Sequence, residues 1–94
     1  MIEDPDYTCM QRVVTGKVQG VFFRVSARDQ AQHFGITGYA KNLEDGNVEV
    51  VACGKVAALE RFKDWLCAGP ERASVANVSC IPVKMKNHPD FRIL

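Results

Sequence analysis

The chain is 94 residues long, 47% hydrophobic and 24% charged, the proportions of a globular domain, which argues against a disordered or fibrous architecture. That length supports one core and no second, so a single domain over residues 7–94 is expected behind a flexible tail at residues 1–6. Twelve basic residues face eleven acidic ones, for a net charge of +1 with no long run of Lys or Arg, which argues against nucleic acid as a partner.

From Tyr7 to Gly16 the segment YTCMQRVVTG carries β-branched and aromatic residues and stops at glycine, the pattern of a first strand. After KVQGV, residues Phe23, Ala27, Ala31 and Phe34 recur at helical spacing, which predicts an amphipathic helix over 23–34 that stops at Gly35. ITGYAKNL (36–43) and NVEVVAC (47–53) are strand-like runs on either side of EDG, where Asp45-Gly46 supplies a tight turn, so the two should pair as a hairpin. In KVAALERFKDWLCAGP (55–70), Ala58, Leu59, Phe62, Trp65 and Leu66 share one helical face, and Gly69-Pro70 cannot continue the helix. ANVSCIPV (76–83) reads as a further strand and the terminal FRIL as a short last one.

The order strand, helix, strand, strand, helix, strand is that of an α+β domain of the ferredoxin-like split βαβ type (βαββαβ). It places two helices on one face of an antiparallel sheet and leaves the other face partly open. The longest apolar runs are a few residues, and MIEDPDYTCM is acidic where a secretory leader is basic and then apolar, so no membrane association and a cytoplasmic location are expected.

TGKVQGVFFRVSA, Thr15 to Ala27, joins a glycine-punctuated turn to a helix start. The N–H groups around Gln19, Gly20, Val21, Phe22 and Phe23 can form a concave nest, and the helix dipole adds about half a positive charge there, a combination that suits a phosphate. Arg24 stands in the first turn of the helix, unfavourable for a cation unless an anion lies between, and its guanidinium can hold two phosphate oxygens at once. The Gly-Lys-Ser/Thr ending of a nucleotide P-loop is missing. A plain strand-to-helix turn with a surface arginine accounts for the same residues, so the turn needs a second motif.

That motif is GYAKNLEDGNVEVVACG, Gly38 to Gly54, with Asn42 at the end of the second strand. The crossover makes the first and second strands parallel, so the loop after Gly16 and Asn42 converge at one sheet edge. An Asn carboxamide both accepts and donates hydrogen bonds, as positioning a neutral water requires, although Asn42 is equally suited to forming the turn before EDG.

Together VTGKVQGVFFR, Val14 to Arg24, and GYAKNLEDGNVEVVACG resemble the two signatures of the acylphosphatases, without departure in either. The resemblance runs from about Cys9 to Ala73 and more loosely to FRIL. It implies hydrolysis of the carboxyl-phosphate bond of a small-molecule acylphosphate by an enzyme that uses no metal and no cofactor. Arg24 matches the family's phosphate-binding arginine and Asn42 its water-orienting asparagine, with Gln19, Gly20, Val21, Phe22 and Phe23 completing the phosphate loop. A monomer is expected. An anion-binding module without turnover would share everything but the argument from Asn42.

The four cysteines form no CxxC pair and the two histidines do not join them at zinc-ligand spacing, so no metal site is expected. The predicted strand order puts Cys9 near Cys53, where a disulfide is geometrically possible, while cytosolic conditions favour free thiols. Cys67 and Cys80 read as small buried residues or surface thiols, His33 as a helix-end cation and His88 as a loop residue. Phe23 fits the core stripe, and Phe22 is placed to line the site.

Overall fold

A computed structural model describes residues 6–83 and 88–94, so the expected tail lies outside the described residues apart from Asp6. The elements are β1 (Tyr7–Lys17), α1 (Phe23–His33), β2 (Thr37–Asn42), β3 (Val48–Lys55), α2 (Val56–Ala68), β4 (Ser74–Val78), β5 (Ile81–Pro82) and β6 (Phe91–Ile93). The sheet order is β4-β1-β3-β2-β6, with β5 also on β1. β3 is antiparallel to β1 and to β2, as expected.

Alternation along the strands sorts the residues to two faces. Met10 and Val14 of β1, Ala40 of β2, Val48, Val50 and Ala52 of β3 and Phe91 of β6 join one buried cluster with Phe23, Ala27 and Ala31 of α1 and Leu59, Phe62 and Leu66 of α2. Both helices therefore cover the same face. The aromatic residues knit the layer together: Phe62 meets Phe91 edge-on at 5.9 Å and Phe23 lies 5.7 Å from Trp65. Each fully buried Phe contributes roughly 1.5–3 kcal/mol by leaving water.

Two expectations change. The single strand read over 76–83 is broken at Ser79–Cys80, because Val13 N–H donates to the Ser79 hydroxyl (3.1 Å) while Ser79 N–H donates to Val13 O (3.0 Å). The side chain thus takes a ladder position and the strand re-forms as β5. The sheet is also mixed rather than wholly antiparallel, since β6 pairs with β2 in parallel, and the Leu94 N–H continues this ladder to Ala40 O at 2.9 Å. No helix among the described residues is long and apolar enough to cross a membrane.

Cys9 and Cys53 are directly opposed across β1 and β3 and form a disulfide, settling the alternative in favour of the bridge. Cys67 and Cys80 are free and exposed. Gly38 is required by close approach, because at φ +140° a Cβ would run into the backbone carbonyl of Val51 on the neighbouring strand.

Gly38→Ala should therefore lose about 2–4 kcal/mol of stability, read as a lowered denaturation midpoint; an unchanged midpoint would show that β2 and β3 can move apart without cost. The Cys9–Cys53 bridge links residues 44 apart in sequence, so reduction should lower the urea midpoint by the equivalent of about 2–4 kcal/mol. Equal midpoints with and without reductant would remove that contribution.

Candidate active site

The strand that leads into the turn at residues 18–22 ends on a deformation. Pairing of β1 with β4 shifts register between Thr15 and Gly16, and a Cβ on Gly16 would collide with the backbone of Ser74. Past Lys17 the turn is anchored by Val18 and Val21, whose side chains are buried in the core. Between and after them the backbone takes left-handed values, φ +73° at Gly20 and φ +60° at Phe22. Gly20 is needed for this angle rather than for space, since a Cβ there would meet nothing within 4 Å. Alternation of left-handed and other conformations over successive residues is the backbone pattern from which concave nests of N–H groups are built.

The same turn starts α1. Phe22 is the N-cap, makes no side-chain cap, and is followed by a first turn without an acidic residue. The first helical bond is Ser26 N–H to Phe22 O, 3.0 Å, so the N–H groups before it lie beyond the reach of the helix's own carbonyls. They are joined there by Arg24, whose Nη1 donates to the Leu94 backbone oxygen at 2.6 Å. This contact holds the guanidinium against the end of β6.

Asn42 closes β2 opposite Val48. The hairpin loop that follows is built from Leu43 N–H to Asn47 O (2.8 Å) and an Asp45 carboxylate that accepts from Asn47. Gln19 ties this loop to the turn before α1, its Nε2 donating to Leu43 O at 2.7 Å and to Asn47 O at 2.9 Å. The side chain of Gln19 is therefore a strut between the two motifs.

Gly20, Phe22, Phe23, Arg24 and Asn42 line one pocket of about 250 Å³, together with Val18 and Val25. The structure thus brings Arg24 and Asn42 to a common space. Gln19 and Val21 stand outside this lining, the first braced on the hairpin and the second packed in the core. Val18, Val25 and Leu94 were not singled out from the sequence. Nothing in the sequence separates Val18 and Val25 from other apolar residues, and the Leu94 contact spans 70 residues without any local pattern.

A second cavity, about 190 Å³, lies on the other sheet face, lined by Cys9, Gln11, Tyr39, Val51, Cys53, Val83 and His88. Beside it the Glu49 carboxylate accepts from Gln11 (2.5 Å) and from Tyr39 (3.2 Å). Burial, then the charge of Glu49 and that hydrogen bond, push the Tyr39 phenol up from its ordinary value. A carboxylate thus stands beside this cavity, whereas the other pocket is lined by the Arg24 guanidinium.

The acylphosphatase family model matches residues 10–93. An acylphosphatase of Coxiella burnetii is 42% identical over 91 residues, covering 97% of this chain and 96% of the relative. One of Chromohalobacter salexigens is 51% identical over 72 residues, 77% of this chain and 80% of its own. The solved structure of an acylphosphatase from Coxiella burnetii superposes with a TM-score of 0.91 at 43% identity, covering 95% of this chain and 94% of that one. Spanning nearly the whole chain, these matches show that it belongs to the acylphosphatase family.

Proposed function

We propose that the protein hydrolyses the carboxyl-phosphate bond of small acylphosphates by in-line attack of a water, without a metal ion. The observation that carries this reading is the pocket shared by the α1 N-terminus, Arg24 and Asn42. The nest N–H groups and Arg24 hold the phosphoryl oxygens and stabilise them as charge redistributes, the largest single contribution open to such a site. Asn42 holds the water, converting an encounter into an oriented attack.

The water oxygen forms the new bond to phosphorus as the bond to the acyl oxygen breaks, and the carboxylate departs with the electron pair. A carboxylate is a good leaving group and needs no acid to protonate it. Among the described residues that line the pocket there is no carboxylate, imidazole or thiol. An amide is not a base at neutral pH, so the water's proton passes to a phosphoryl oxygen of the substrate itself. A kcat profile governed by an enzyme base between pH 5 and 8 would contradict this step. The reading requires one chain and a diffusible substrate, and calls on neither nucleic acid nor membrane.

Phosphate release from benzoyl phosphate, with and without EDTA, tests the assignment. Turnover should ignore EDTA. Arg24→Ala should weaken both phosphate inhibition and kcat, whereas Asn42→Ala should cut kcat by ~100-fold or more with phosphate inhibition nearly intact. Phosphate binding without turnover in the unmodified chain would make this an anion-binding module. Gln19→Ala, which removes the strut but leaves both motifs in place, should cost about 1 kcal/mol of stability and lower kcat/KM about tenfold; a variant with unaltered kinetics would show that the two loops hold their spacing without it.

A further inference from the structure

The phosphate-holding groups account for only one end of an acylphosphate, and the pocket offers more than they use. Four of its lining residues, Val18, Phe22, Phe23 and Val25, are apolar. Val18 and Phe23 are buried and serve the core. Phe22 and Val25 are not: Phe22 is 74% exposed and Val25 38%. Both line the pocket, Phe22 as the N-cap of α1 and Val25 in its first turn.

Phe22 is also held in a conformation that a phenylalanine avoids. At φ +60° and ψ +26° it is the one non-glycine residue with positive φ among the described residues. A bulky side chain there is a backbone outlier, and such outliers persist where the surroundings impose them and collect at functional sites. Asn or Gly would satisfy the turn at lower cost. The strain instead holds a phenyl ring in water beside the groups that bind phosphate, an apolar surface with nothing in the fold to cover it.

We infer that Phe22 and Val25 form the acyl subsite of this pocket, a platform on which the apolar or aromatic acyl group of the substrate lies while its phosphate occupies the nest. This rests on the hydrolytic reading above and adds the class of acyl group the site prefers. The ring face and the valine methyls remove apolar acyl surface from water, and an aromatic acyl group can stack as well. A small acyl group such as acetyl reaches little of this surface, so the two residues discriminate among acylphosphates without touching the reacting atoms.

The test compares kcat/KM for benzoyl phosphate and acetyl phosphate in the unmodified chain, in Phe22→Asn and in Val25→Ser, with inhibition by inorganic phosphate measured in each. Asn suits the left-handed turn, and Val25 lies on an exposed face, so the second variant keeps the inference falsifiable if the first disturbs the nest. The expected result is a benzoyl-to-acetyl ratio that falls about tenfold in Phe22→Asn and by a smaller factor in Val25→Ser, in chains that phosphate still inhibits. An unaltered ratio in both variants overturns the subsite alone and leaves the hydrolase standing. Failure of the unmodified chain to hydrolyse either substrate overturns the hydrolytic reading and the subsite with it.

Discussion

Strand β3 is hydrogen-bonded along both edges, antiparallel to β1 on one side and to β2 on the other, and the placement of the site follows from that arrangement. Two strands antiparallel to a common neighbour are parallel to each other, so β1 and β2 end at the same edge of the sheet. One delivers the turn at residues 18–22, the other Asn42. The register carries the chemistry: Val14 and Asn42 both oppose Val48. A slip of one residue would turn the core face of β3 to the other side of the sheet and displace the two motifs from each other.

Within this frame the site is held by contacts far apart in sequence. Gln19 braces the turn before α1 on the hairpin, and the Leu94 oxygen anchors Arg24 across 70 residues of sequence. Long side chains such as Arg have much rotamer entropy to lose on ordering. In the proposed reading, a guanidinium held before substrate arrives loses less at the moment of binding, which is the advantage of a preorganised donor over a free surface arginine. The β6 pairing with β2 gives Leu94 its place.

The fold was legible because its elements are regular where it matters. The apolar stripes of α1 and α2 and the Asp45-Gly46 turn are local patterns, and the structure keeps them within a residue or two of their expected bounds. The meeting of Arg24 and Asn42 was legible too, because strand direction alone brings them together. What escaped has no local signature. Ser79 interrupts a strand by competing for a backbone partner on Val13, and β6 chooses a parallel neighbour through pairing set by the whole sheet. Phe22 was read as lining the site, yet nothing in VQGVFFR announces that it takes a glycine-like backbone angle.

The disulfide divides the molecule by function. Cys9 lies near the start of β1, whereas the phosphate turn begins after Lys17 at its other end. Eight residues of strand at about 3.3 Å each separate them by roughly 25 Å. The bridge also lines the cavity on the sheet face opposite the helices, away from Arg24. Its constraint acts chiefly on the unfolded chain, where it removes freedom from the segment between the two cysteines, and that segment contains both Arg24 and Asn42. Thiol redox chemistry therefore bears on how much of the chain is folded, while the geometry of the pocket is set locally by the turn, the strut of Gln19 and the anchor at Leu94. A reducing cytoplasm opens such bridges and an oxidising compartment keeps them. The compartment thus acts on the stability of this enzyme, and the left-handed turn before α1 depends on backbone angles and buried valines that no thiol reagent reaches.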